Sequence, residues 1–151
     1  MSPSPSIRLM LVDDHAILRA GLADMLNGES GLKVVVEADD GETAIRLWRE
    51  HQPDVTLLDL SMGGMDGIET LKRLRSEFPQ ARVLMLTSSE ANEDVRHALE
   101  AGASGYVTKN IRRAELVEAI RECHSGGQPI GEHIARILAA GNEHGALSRR
   151  E

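Results

Sequence analysis

The sequence predicts an α/β fold: a doubly wound, five-stranded parallel sheet with helices on both faces. Three observations carry that prediction. Short apolar runs alternate five times with segments whose apolar residues recur at helical spacing, giving five βα units between residues 7 and 125. Runs such as "RLMLV" and "VLML" are apolar at consecutive positions, as in strands covered on both sides. The connections are short, so each crossover is a helix packed back on the sheet with right-handed sense.

The first unit is "IRLMLVDD" (7–14), a strand ending in two acids, followed by "HAILRAGLADMLNG". There Ile17, Leu18, Leu22, Met25 and Leu26 mark a helical apolar face and Gly28 is placed to stop the helix. In the second, Val34 to Val36 form a strand, Asp39-Asp40-Gly41 turn, and Ala44, Ile45, Leu47 and Trp48 line a helix. "DVTLLDL" and "GIETLKRLRSEF" make the third, with Ile68, Leu71, Leu74 and Phe78 on one face. "ARVLMLTSS" leads into "NEDVRHALEAG", and "SGYVTK" into "RRAELVEAIRECHSGG", where Leu116, Val117, Ile120 and Cys123 fall on one face. Five such units suggest the strand order 2-1-3-4-5, although periodicity alone does not fix it.

Composition narrows the function. In 151 residues, 41% hydrophobic and 27% charged, there is room for one domain and a tail. No apolar run approaches a membrane span, and "MSPSPSI" lacks the basic and apolar regions of a signal peptide, so a cytoplasmic location is expected. A formal charge of −7 argues against general nucleic-acid binding by these residues. The single cysteine, Cys123, can form no internal disulfide and reads as helix packing.

In open parallel sheets, sites form at the carboxyl ends of the strands. Strand 1 ends in Asp13 and Asp14, strand 3 in Asp59, strand 4 in Thr87, and strand 5 just before Lys109. Carboxylates brought together raise one another's pKa unless a cation neutralises them, and a hard divalent ion such as Mg²⁺ suits oxygen donors. With the Thr87 hydroxyl and the Lys109 ammonium, these groups are equipment for phosphoryl transfer, with Asp59 the natural acceptor. Each residue also has a plainer reading: Asp13 and Asp14 as helix caps, Thr87 as a strand residue, Lys109 as a solvated charge. Asp39-Asp40 is the control, two acids after a strand placed at an edge, read as a turn and cap. His15 reads as a polar cap, because Mg²⁺ prefers oxygen, and His124, His133 and His144 have no zinc spacing.

The set Asp13, Asp14, Asp59, Thr87 and Lys109 resembles the receiver domain of two-component response regulators, which have the flavodoxin-like (CheY-like) fold. "DDHAILRAGL" and "GASGYVTK" resemble the NarL/FixJ subfamily. The resemblance implies that Asp13, Asp14, Asp59 and the Ser61 backbone carbonyl hold Mg²⁺. It implies that a sensor histidine kinase phosphorylates Asp59, that Thr87 and Lys109 bind the phosphoryl group, and that Tyr106 is a switch aromatic swinging inward. It also implies a phosphoacceptor with at most weak self-dephosphorylation, not an enzyme, and a homodimer controlled at the face of helix 4, strand 5 and helix 5. Two positions depart from the family: Gly63 and Asn110 stand where prolines are common.

The expected organisation is a flexible lead-in (1–6), the receiver (7–125), a linker with a short helix (126–146), and "ALSRRE", which resembles the opening of a LuxR-type helix-turn-helix domain (147–151 onward). DNA would then be bound only through that C-terminal domain, to control transcription. A stand-alone adaptor is the first alternative. A haloacid-dehalogenase-like phosphatase would need an acid where Ser61 stands, and a flavodoxin would need a hydroxyl- and glycine-rich loop where "VDDH" stands.

Overall fold

The computed structural model describes residues 6–62, 66–88, 91–131 and 134–140. Ten elements alternate: β1 (Ile7–Val12), α1 (Ala16–Asn27), β2 (Leu32–Ala38), α2 (Gly41–His51), β3 (Val55–Leu58), α3 (Gly67–Glu77), β4 (Val83–Thr87), α4 (Asn92–Glu100), β5 (Gly105–Thr108) and α5 (Arg113–His124). All strand pairs are parallel and the order is β2-β1-β3-β4-β5, as the sequence suggests. β3 is buried at every position, because helices cover both of its faces.

The apolar residues divide between the two faces by strand alternation. Met10, Val12, Leu58, Val83 and Met85 join Trp48, Leu71, Leu74 and Val95 on the side of α2, α3 and α4. Leu9, Leu11, Leu57, Leu84 and Leu86 join Leu26, Leu116, Ile120 and Cys123 on the side of α1 and α5. Phe78 stacks on Trp48 with ring centroids 4.2 Å apart, tying the end of α3 to α2. Burial pushes the Cys123 thiol up to about 12, as expected of a packing residue. Native protein at pH 8 should therefore resist alkylation by iodoacetamide while urea-unfolded protein is modified. Labelling at equal rates would contradict the burial.

One expectation for α1 needs correction. Ile17 and Leu18 were placed on its core face, but they are 91% and 47% exposed, and Ala23 and Leu26 supply the buried contacts. Gly28 does follow the helix, but with φ −77°, which any residue can adopt. Capping also separates the acid pairs. Asp40 caps α2 by accepting from the Thr43 N–H at 2.7 Å, as the control reading requires. Asp66 caps α3 in the same way, through Glu69 at 2.8 Å. The residue at the α1 cap position is His15, without a side-chain cap bond, and its backbone N–H donates to Asp13 Oδ1 at 2.8 Å.

The described residues after α5 stay against the domain. Residues 129–131 lie along β5, and a helix over 134–140 follows, with Ile134 buried in the core. The tail at 147–151, Gly63, His133 and His144 lie outside the described residues.

Candidate functional site

Backbone pairing delivers the acids to one crevice. The Asp13 N–H donates to the Ala38 carbonyl at 3.1 Å and the Asp59 N–H to the Val12 carbonyl at 3.0 Å, so both side chains leave the sheet just where the ladder stops. Lys109 is set likewise, its N–H donating to the Thr87 carbonyl at 2.9 Å. Asp59 is only 3% exposed. Its Oδ2 accepts from the Lys109 ammonium at 3.0 Å, and its Oδ1 accepts from the Ser61 N–H at 3.3 Å.

Lys109 also reaches Asp13 Oδ2 at 2.9 Å, so one ammonium bridges the two buried carboxylates. Burial alone would raise the Asp13 pKa and lower that of Lys109. The His15 N–H and the Lys109 ammonium on Asp13 outweigh burial and hold that carboxyl below its ordinary value. The two carboxylates do the same for Lys109, holding its pKa above the ordinary lysine value. Both ions are therefore charged at neutral pH. Asp14 is exposed, at the mouth of a cleft lined with Ser61, Met62, Asp66 and Asp94. An apolar groove between α1 and α5, lined by Ile17, Leu22, Met25 and Leu116, reaches Asp13 and Lys109 from the other side.

Asp13, Asp14, His15 and Asp59 each offer one ligand atom, all within 4.8 Å of one another. Three of the four are carboxylate oxygens, a donor set that fits a hard divalent cation such as Mg²⁺. Sequence reasoning brought these acids together correctly but missed the position of His15. Its Nδ1 lies 3.0 Å from Asp13 Oδ1 and 3.2 Å from Asp14 Oδ1, so it belongs to the cluster rather than to a cap. Arg19 was missed too. Its guanidinium donates to the Asp13 carbonyl and to Glu37 at 3.2 Å, fixing the turn that carries both acids, and an arginine one turn into a helix gives no sequence signal of that role. Thr87 is fully buried at the end of β4, beside Thr108 in register. Ser61 lies in the loop after β3, and Tyr106 is fully buried in β5.

Residues 9–121 match the family described as the response regulator receiver domain. The chain belongs to the response regulator receiver family. GacA of Pseudomonas viridiflava is 41% identical to it over 133 residues, covering 88% of this chain and 62% of GacA. The nitrate/nitrite response regulator NarL of Escherichia coli is 36% identical over 140 residues, covering 93% of this chain and 65% of NarL. The crystal structure of a LuxR-family two-component response regulator from Aurantimonas superposes with a TM-score of 0.87 at 40% identity, covering 91% of this chain and 98% of that one. The receiver is thus of the NarL/FixJ kind, and the chain spans less than two thirds of the length of the GacA and NarL relatives. Its Asp13, Asp14 and Asp59 form the acidic pocket typical of the Mg²⁺ site of receivers. No helix among the described residues is long and apolar enough to cross a membrane.

Proposed function

We propose that Asp59 is the phosphoacceptor of this receiver and that a sensor histidine kinase is the donor. The observation that carries this is a carboxylate 3% exposed, with its Oδ1 held by the Ser61 N–H and its Oδ2 by Lys109, beside Asp13 and Asp14. Such fixation presents a nucleophile in a set orientation, which is most of what phosphoryl transfer asks of a protein. An Asp59 oxygen attacks phosphorus; the new O–P bond replaces the N–P bond of a phosphohistidine, whose imidazole leaves with the electron pair and takes a proton. Lys109 follows the charge that develops on the phosphoryl oxygens, and Thr87, one strand away, donates its hydroxyl to them. Asp13, Asp14, Asp59 and the Ser61 carbonyl are the groups to hold Mg²⁺, which supplies charge neutralisation for the incoming phosphoryl group.

The modification adds roughly two negative charges, and capture by Thr87 and Lys109 biases a two-state equilibrium in which Tyr106 is the switch aromatic. Downstream, the reading includes a homodimer and control of transcription through a LuxR-type DNA-binding domain, for which "LSRRE" and the greater length of the relatives speak. Both steps place the protein in the cytoplasm. The test is incubation with acetyl phosphate and Mg²⁺. Intact mass should rise by one phosphoryl group, and Asp59→Asn should abolish the gain; an equal gain in that variant removes Asp59 as the acceptor.

A further inference from the structure

We infer that residues 129–131 and 134–140 act as a strap whose docking on β5 is coupled to phosphorylation of Asp59, so that the linker itself reads the state of the site. This rests on the phosphoacceptor reading above. The strap begins where Gly126, at φ +96°, turns the chain back after α5. It then runs parallel to β5: the Tyr106 N–H donates to the Pro129 carbonyl at 3.0 Å, and the Gly131 N–H donates to the Tyr106 carbonyl at 3.1 Å. The segment thereby takes the place of a sixth strand at a sheet edge that would otherwise present unpaired backbone groups.

The seat is built into β5. A Cβ on Gly105 would lie 2.4 Å from the Pro129 carbonyl oxygen and 2.8 Å from Pro129 Cγ, so the absence of a side chain at 105 is what lets the strap approach. Beyond the bridge the strap is anchored by apolar contact. Ile134 is 1% exposed and belongs to the same core cluster as Tyr106, Val95 and Ala98, with Ile130, Ile137 and Leu138 packed against it. The strap therefore holds the backbone of the buried aromatic of β5 through both its N–H and its carbonyl.

From Tyr106 the path to the acids is short. Three residues on, Lys109 is bonded through its N–H to Thr87 and through its ammonium to Asp13 and Asp59. A phosphoryl group on Asp59 gives Lys109 and Thr87 additional oxygens to hold, which fixes the ends of β4 and β5 and so the edge on which the strap sits. Coupling of this kind is reciprocal: loading must tighten the strap by the same factor by which the strap favours loading. The strap also covers the edge of β5 between α4 and α5, so a partner approaching that face meets the linker and not bare strand.

Hydrogen exchange on the wild-type chain, with and without beryllium trifluoride and Mg²⁺, tests this directly. Peptides covering 128–138 should exchange at least threefold more slowly when the mimic is present, with no such change in Asp59→Asn. In parallel, Gly131→Pro, which removes the donor to Tyr106, and Ile134→Ser should each weaken binding of the mimic at least threefold. Unchanged or faster exchange of the strap in the loaded protein overturns the inference, as does wild-type affinity in both variants. Because wild-type exchange needs no substitution, a variant that fails to fold leaves the test intact. A protein that gains the phosphoryl mass on Asp59 while its strap stays indifferent would refute the coupling alone; a protein that gains none would refute the acceptor reading.

Discussion

Lys109→Met is expected to destabilise the protein by about 3 kcal/mol at pH 7 in the absence of divalent cations, a loss of roughly 8 °C in melting temperature for a chain of this size. The side chain is close in volume, so packing changes little; what disappears is the ammonium lying 2.9 Å from Asp13 and 3.0 Å from Asp59. Two buried carboxylates then face each other. The cost has a ceiling, because one of them can take a proton: from an ordinary value of 3.8, neutralising a carboxyl at pH 7 costs about 4 kcal/mol. The same reasoning fixes the pH dependence. In the variant the folded state binds protons more readily than the unfolded chain, so its stability should rise as pH falls from 7 to 5. In the wild type, Asp13 has a lowered pKa and its contribution is lost only as pH falls below 3.8. Lys109 has a raised pKa, and its contribution is lost only as pH climbs beyond 10.5. These two groups leave the wild type flat between pH 7 and 5. Urea denaturation of both proteins at the two pH values checks this; a variant as stable as wild type at pH 7 would show that Lys109 does not hold the acids together.

What the sequence makes legible is whatever depends on periodicity and on strand ends. Asp13, Asp59 and Lys109 could be brought together before any coordinates, because the parallel order places every strand's carboxyl end on one side, and the structure puts all three within one set of ion pairs. Ile17 and Leu18 were misjudged for a definite reason. Helical spacing finds the face but not how far along it the core extends: Leu26 is buried and Leu22 and Met25 pack against the core as that face predicts, while Ile17 and Leu18, in the first turn, line an open groove. The role of 129–131 was invisible for a different reason: "QPIG" carries no strand pattern, and its place is set by Gly105 and the bare edge of β5, more than twenty positions earlier. Backbone hydrogen bonds of that kind leave no trace in side-chain periodicity. His15 and Arg19 were similarly hidden, because their contacts depend on how the turn after β1 closes.

Gly67→Ala should cost about 3 kcal/mol and impair phosphorylation as well, since the same contact that limits residue 67 also positions Asp59. The constraint is space, not backbone conformation, for Gly67 has no positive φ. A Cβ there would lie 2.4 Å from the Asp59 carbonyl oxygen, 2.6 Å from Leu60 Cα and 2.8 Å from the Leu60 carbonyl oxygen. All three are backbone atoms, so no side chain can swing aside, and the start of α3 or the end of β3 has to move. That region is already tied down, by the Gly67 N–H donating to the Leu60 carbonyl at 2.9 Å and by the Asp66 cap on α3. Displacing it shifts Asp59 relative to Lys109 and Ser61, the two groups that fix its oxygens. Gly21 is the matched control. It lies inside α1 with nothing within 4 Å of its would-be Cβ, so Gly21→Ala should stabilise by roughly 0.5–1 kcal/mol, the usual gain of alanine over glycine in a helix. Melting curves and the yield of phosphorylated protein under acetyl phosphate, measured for both variants, should move in opposite directions in stability and separate in yield. If Gly67→Ala melts with the wild type, the close approach of α3 to the end of β3 does not constrain the site.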